Sequence, residues 1–214
     1  MLDLNFMAEI APDMAAALLM TVNLSILSVL ISIILGAILT FTRLTGGVLT
    51  RYLIIGFVEF TRGTPPLVHI SIIYFLLPQF GIVLSEFWSG IVALSLIGAG
   101  YTIEIFRGAI ESISEGQTEA AKALGLTRIQ GFFLILMPQA VRRSLPPLTN
   151  ELANVVKASS LLSVISVNEL TKVANDLIFV HFVVIEVLIE LTVMYLMVVG
   201  ILMGVSRWLE KRMK

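Results

Sequence analysis

The 214-residue sequence has no cysteine, few charges and only two histidines, and each shortage excludes a class of protein. Without cysteine the chain can form no disulfide, no thiolate nucleophile and no cysteine-ligated metal site. Charged residues make up 14% of the chain, against roughly a quarter in a typical soluble domain. The formal net charge of -1 argues against a nucleic-acid partner, since such proteins usually carry a basic excess.

The sequence also lacks two motifs of hydrolytic enzymes. It has no Gly-x-x-x-x-Gly-Lys-Ser/Thr loop to hold phosphates. Its two histidines, His69 and His181, are too far apart in sequence to form a His-Glu-x-x-His zinc site. We therefore expect no catalytic residue, no metal site and no cofactor bound by this chain.

Apolar residues make up 57% of the chain, more than a soluble core of this size can bury. Residues 14–42 carry no charge at all, and a membrane helix needs about 20 mainly apolar residues. We therefore predict an all-α membrane protein with one transmembrane domain over residues 14–208. Its five predicted transmembrane helices are residues 14–42, 52–79, 87–107, 146–167 and 179–208.

The distribution of basic residues predicts the orientation. No lysine or arginine precedes Arg43, and basic residues favour the cytoplasmic side of a membrane. The N-terminal residues 1–13 are therefore expected outside, and the tail, residues 209–214, in the cytoplasm. Eleven of the 14 basic residues then lie in cytoplasmic segments: Arg43, Arg51, Arg107, Lys122, Arg128, Arg142, Arg143, Arg207, Lys211, Arg212 and Lys214.

The longest predicted cytoplasmic segment, residues 108–130, has the pattern of a short amphipathic helix. Ala120, Ala121 and Leu124 are its apolar residues, and Gly125 follows them as a typical C-terminal cap. The pattern alone fits an ordinary surface helix between spans 3 and 4 as well as a helix that contacts a partner.

This segment and several further blocks resemble the permeases of ATP-binding-cassette (ABC) importers, and among them the polar amino-acid subfamily. Glu119-Ala120-Ala121, followed by Gly125, is similar to the EAA motif of these permeases, although Met137 stands where the motif usually has leucine. The other similar blocks are residues 59–65 with Arg-Gly-Thr-Pro, residues 101–108, Pro138-Gln139-Ala140, and Asn150-Glu151 with Lys157 and residues 159–161.

The resemblance implies a type I transmembrane domain in which the helix around Glu119 contacts a separate ATPase. Glu119, Ala120, Ala121 and Gly125 would be the ATPase-coupling residues of this coupling helix. Implied partners are ABC ATPase subunits, which bind ATP and Mg²⁺, a second permease subunit, an extracytoplasmic solute-binding protein and an amino-acid substrate. The implied location is the bacterial cytoplasmic (inner) membrane.

A polar interruption is predicted within the second span. Glu59 and Arg62 are three residues apart and could pair on one helix face. Gly63, Thr64 and Pro65 follow, and proline removes a backbone donor while glycine adds freedom. These five residues are interpreted either as a gate or as a structural kink.

The fourth span is the most polar, and a helix of this kind is expected to line the protein interior. Asn150, Asn154 and Lys157 share one helix face, which Ser160 is expected to continue. We interpret Glu151, Asn154, Lys157, Ser159 and Ser160 as candidate substrate-pathway residues. A buried polar network that only holds the helices together is the alternative.

A proton-coupled secondary transporter is the alternative function, since intramembrane carboxylates can carry protons. Its candidate residues are Glu104, Glu186 and Glu190. Glu104 is expected to pair with Arg107, whereas Glu186 and Glu190 are expected to be solvated near the outer end of the last span.

Overall fold

A computed structural model describes residues 2–213, except for the side chains of residues 128, 210 and 213. The predicted cytoplasmic positions of the Arg128 side chain and of Lys214 therefore lie outside the described residues. Over these residues the chain is helical, with short connections. The α-helices are α1 (Leu4–Thr45), α2 (Val48–Gly63), α3 (Pro66–Ser71), α4 (Glu86–Glu111), α5 (Glu115–Ala123), α6 (Arg128–Gly131), α7 (Met137–Ala158), α8 (Leu170–His181) and α9 (Ile185–Met213).

Shorter helical turns complete two of the predicted spans. After α3 the chain winds into a π-helical turn, Ile72–Leu76, and a 3₁₀ turn, Leu77–Phe80. A second π-helical turn, Phe132–Leu136, precedes α7, and a 3₁₀ helix, Ser159–Ile165, follows it.

Three helices in the described residues are long and apolar enough to cross a membrane: Leu4–Thr45, Glu86–Glu111 and Ile185–Leu209. They overlap the first, third and fifth predicted spans. The predicted start of the fifth span at residue 179 is wrong, because α8 continues to His181 and the next helix begins at Ile185. The first helix begins ten residues before the predicted start at residue 14, because the Asp3 carboxylate caps it. Asp3 Oδ1 accepts hydrogen bonds from the backbone N–H groups of Asn5 and Phe6, at 3.0 and 3.1 Å.

Small residues bring α1, α2 and α4 close together. A methyl group added to Gly98 would lie 2.9 Å from Cβ of Ser32 on α1. A methyl group added to Gly100 would lie even closer to the side chain of Thr61 on α2. Close backbone approach through small residues is how membrane helices gain packing energy without a hydrophobic driving force between them.

These contacts also give the helix directions. Ser32 faces Gly98 and Gly36 faces Thr102, so α1 and α4 run in the same direction. Val155 of α7 packs near Gly98, whereas Arg143, twelve residues earlier in sequence, contacts the end of α4, so α7 runs the opposite way.

The last helix joins the beginning and the end of the chain. The Asp3 backbone N–H donates to Glu186 Oε1 at 3.1 Å, so α9 begins beside the start of α1. Near its other end, Ser206 Oγ donates to Thr149 Oγ1 of α7 at 2.6 Å. A cluster of buried apolar side chains fills the space between α1, α8 and α9: Ile10, Met14, Ala17, Leu170, Ala174, Val187 and Met194.

The Gly100→Ala variant is expected to be less stable by about 1–3 kcal/mol, the typical cost of an added methyl group in a filled core. The new methyl group would collide with Thr61, whose branched Cβ cannot turn away. Gly108→Ala on the same helix is the matched control, since a methyl group there meets nothing within 4 Å. Thermal unfolding in detergent measures both, and equal melting temperatures for the two variants would contradict the packing account.

Candidate functional site

The predicted coupling helix is α5, and its C-terminus has the hydrogen bonds of a Schellman motif. The backbone N–H of Gly125 donates to the Lys122 carbonyl at 2.9 Å, and that of Leu126 donates to the Ala121 carbonyl at 3.1 Å. Gly125 has φ +74°, in the left-handed region that favours glycine. The predicted glycine cap is therefore confirmed.

The residues of the EAA motif divide between the two faces of α5. Ala121 is buried, and its Cβ lies 3.4 Å from where a Cβ of Gly131 would be. Glu119 and Ala120 are exposed. Ala121 thus holds α5 to its own chain, while Glu119 and Ala120 form an open surface.

Two side-chain contacts join α7 to α5 and to the end of α4. The Arg143 side chain donates through Nη1 to the carbonyl oxygen and to Oγ of Ser112, which directly follows α4. Gln139 Nε2 donates to Gln117 Oε1 of α5 at 3.2 Å. A displacement of α5 would therefore act on both helices.

The predicted interruption is present in the second span. The first part, α2, ends at Gly63, the backbone of Thr64 is extended, and the next helix begins at Pro66. Thr64 Oγ1 donates to the Phe60 carbonyl at 2.7 Å and lies 2.6 Å from Nε2 of His69, which is buried. Side-chain hydrogen bonds therefore hold the break on both sides.

The expected ion pair between Glu59 and Arg62 is wrong. Both side chains are described, and no ion pair joins them. Instead, Arg62 Nη1 lies 3.9 Å from Glu104 Oε2, and the guanidinium carbon lies 5.5 Å from the centre of the Tyr101 ring. The Arg62 side chain extends towards α4, so it contacts Glu104 and Tyr101 there and not Glu59 on its own helix.

Glu104 is the centre of an ion cluster that includes the expected pair with Arg107. Arg107 donates to Glu104 Oε2 through Nε at 2.9 Å and Nη2 at 2.7 Å, which confirms that pair. Arg43, at the end of α1, donates to Glu104 Oε1 at 2.6 Å. The sequence does not predict the contact between Arg43 and Glu104, because the two residues are 61 positions apart.

The candidate pathway residues on α7 are only partly brought together. Glu151 is 8% exposed, and its Oε2 accepts a hydrogen bond from Asn154 Nδ2 at 3.4 Å. Asn150, Asn154 and Lys157 form an exposed face beside it, as their spacing predicts.

The two serines of this set lie differently. The α-helix ends at Ala158 and a 3₁₀ helix follows, so the polar face does not continue to Ser160 with the expected spacing. Ser159 is buried and donates to the Val156 carbonyl at 2.7 Å, and Ser160 donates to the Lys157 carbonyl at 2.7 Å. Both hydroxyl protons are thus used within the chain's own helix.

Glu169 is a buried carboxylate that the sequence reasoning misses. It caps α8 by accepting backbone N–H bonds from Thr171 at 2.9 Å and Lys172 at 2.7 Å, and it accepts a bond from the Tyr195 hydroxyl at 3.2 Å. An acidic residue directly before the amphipathic segment 170–181 is the signal that could have identified this cap.

The carboxylates of the alternative function differ in environment. Glu104 is engaged by arginines, and Glu186 accepts a backbone hydrogen bond from Asp3. The expectation of a solvated Glu190 is wrong, since this side chain is 8% exposed and its Oε2 has no hydrogen-bond partner among the described residues. It is buried because α9 turns this face towards the apolar cluster with Val187 and Met194.

Comparison with known proteins gives the family. Residues 28–214 match the family model described as binding-protein-dependent transport system inner membrane component. The glutamine transport system permease protein of Escherichia coli K12 is 36% identical over 197 residues, which cover 91% of this chain and 90% of that protein. The nopaline transport system permease protein of Agrobacterium fabrum is 34% identical, and the match covers 100% of this chain and 94% of that protein.

Solved structures agree with these matches. A chain from the crystal structure of an amino acid ABC transporter with histidines superimposes on this chain with a TM-score of 0.92 and 30% sequence identity. The match covers 99% of each chain. The inward-facing MetNI methionine ABC transporter, at 19% identity and a TM-score of 0.77, shares the fold. The resemblance to amino-acid ABC permeases is confirmed, and this chain belongs to the family of binding-protein-dependent transport system inner membrane components.

Proposed function

We propose that this chain is the transmembrane permease subunit of an ATP-driven amino-acid importer. It forms the translocation pathway at the interface with a second permease subunit, identical or related. ATP and Mg²⁺ bind to separate ABC ATPase subunits, and a solute-binding protein delivers the amino acid from outside. The relatives named for glutamine and nopaline transport support an amino-acid substrate.

The observation that carries this proposal is the construction of α5. Its exposed Glu119 and Ala120 are presented on a helix whose end is fixed by Gly125 and whose neighbouring contacts reach α4 and α7. The chain has no phosphate-binding loop of its own, so energy from ATP must reach it by contact. A small exposed helix connected to two long helices is suited to that task.

We infer five crossings with the N-terminus outside. The helix directions support this, since α1, α4 and α9 run one way and α7 runs the opposite way. Most of the basic residues, among them Arg43, Arg107, Lys122 and Arg143, lie towards the end of the molecule that carries α5, as the positive-inside rule requires. We place that end in the cytoplasm of a bacterial cell, with the protein in the inner membrane.

Glu151 and its neighbours are the proposed wall of the pathway. An amino-acid zwitterion needs an anion for its ammonium group and a cation for its carboxylate. Glu151 supplies the first, and Lys157 on the same helix supplies the second. Ser159, Ser160 and Asn154, which donates to Glu151, complete the proposed pathway residues, and residues 59–65 form the proposed gate at the break between α2 and α3.

Reconstituted uptake tests the function. Proteoliposomes that contain this chain, its ATPase and its solute-binding protein are expected to accumulate the amino acid only when ATP is present on the ATPase side. The buried Glu190, which lacks a hydrogen-bond partner in the described structure, is the one observation that favours a proton-coupled transporter instead. Accumulation driven by a pH gradient alone, without ATP, would contradict the importer and support that alternative.

The Glu151→Gln variant tests the pathway. Glutamine keeps the size and the hydrogen bond to Asn154 but removes the charge that would hold the ammonium group. Since a hydrogen bond to a charged group contributes about 1.5–3 kcal/mol, uptake is expected to fall about tenfold or more. ATP hydrolysis by the assembled transporter is expected to change little, and so is uptake in the exposed control Glu9→Gln. Wild-type uptake by Glu151→Gln would exclude Glu151 from the pathway.

A further inference from the structure

Glu104 joins three helices through one carboxylate. It contacts Arg43 of α1 at 2.6 Å, Arg107 of its own helix at 2.7 Å and Arg62 of α2 at 3.9 Å. The Glu104 side chain is 19% exposed and that of Arg43 is 16% exposed. Partial burial strengthens the contact between Glu104 and Arg43, and Arg107 is held to Glu104 by two hydrogen bonds.

Arg62 is the loosest member of this cluster. Its 3.9 Å separation from Glu104 is beyond a direct hydrogen bond, and its side chain is 43% exposed. It occupies the last turn of α2, immediately before the break at Gly63 and Thr64. Arg62 therefore lies between the Glu104 cluster and the break in the second span.

The helix that carries Glu104 leads directly into the coupling segment. Two turns after Glu104, α4 ends at Glu111, and Ser112 is held by Arg143 of α7. Glu111 also pairs with Arg107 at 2.5 Å. A displacement of α5 that moves the end of α4 would therefore move Glu104 relative to Arg62.

We propose that Glu104 is a positioning residue that transmits movement of α5 to the break in the second span by attracting or releasing Arg62. When the end of α4 brings Glu104 towards Arg62, the last turn of α2 is held. When α4 moves away, Arg62 is released and the backbone at Gly63 can open. This role rests on the proposed importer function, because it assumes that an ATPase moves α5.

The Glu104→Gln variant in the assembled transporter tests this role. Glutamine has the same size but no charge, so it cannot attract Arg62 over 3.9 Å. Coupling between sites is typically worth a factor of about 5–150, and we expect uptake per ATP hydrolysed to fall about tenfold. Stimulation of ATP hydrolysis by loaded solute-binding protein is expected to fall in parallel. A purely structural role would lower the amount of assembled transporter without changing either ratio.

Glu111→Gln is the matched control. It removes a carboxylate from the same helix and the same arginine, but Glu111 is 62% exposed and its recorded ion pair is with Arg107 alone. Exposed pairs contribute little, so both ratios are expected to stay within about twofold of the wild type. Wild-type ratios in Glu104→Gln, or an equal loss in Glu111→Gln, would overturn the proposal.

The Arg62→Gln variant shows whether Glu104 acts through Arg62. Alone, this variant is expected to lower the stimulation of ATP hydrolysis by loaded solute-binding protein. The double variant with Glu104→Gln is expected to show no further loss beyond that of Glu104→Gln. Independent losses that multiply would overturn the proposal. If Glu104→Gln does not assemble, Arg62→Gln decides by itself, since it leaves the contacts of Glu104 with Arg43 and Arg107 intact. Wild-type stimulation of ATP hydrolysis in Arg62→Gln would then overturn the proposal. A wild-type transporter without ATP-dependent uptake would overturn the importer function itself.

Discussion

Charge inside a membrane helix must be neutralised by a neighbour, and in this chain that requirement fixes three helices at one point. Glu104 lies near the end of the third predicted span, where Arg43 and Arg107 supply the neutralising charges. The side chains of Glu104 and Arg43 are 19% and 16% exposed, so removing either one would leave a largely buried charge without its partner. The ends of α1 and α2 are therefore tied to α4 at the level where α4 approaches the coupling segment.

Close packing supports the same arrangement from the apolar side. Gly98 and Gly100 admit the side chains of Ser32 and Thr61, so three helices meet without room for another methyl group. The second and fourth predicted spans are segmented: α2 ends before the break at Thr64, π and 3₁₀ turns follow α3, and a 3₁₀ helix follows α7. The candidate pathway and gate residues lie on these segmented parts of the chain, and Thr61 near the end of α2 connects them to the closely packed centre.

Much of this was predictable because the signals were local. Charge-free runs identified the long helices, Gly125 the end of α5, and Pro65 and Pro66 the break in the second span. The contacts that depend on tertiary structure were not predictable. Arg62 pairs across helices rather than with Glu59, and Glu190 is buried by α9 packing. Spacing along one helix contains no information about which partner lies opposite.

The central claim is that an ATPase acts on this chain through α5, and site-specific crosslinking tests it most directly. The chain has no cysteine, so Ala120→Cys on the exposed face of α5 supplies a unique attachment point. In the assembled transporter, a crosslinker on this cysteine is expected to capture the ATPase, with a yield that changes when ATP is added. Val83→Cys, exposed beyond the opposite end of α4, is the control that should capture none. Absence of an ATPase crosslink from Ala120→Cys in an intact complex would contradict the account.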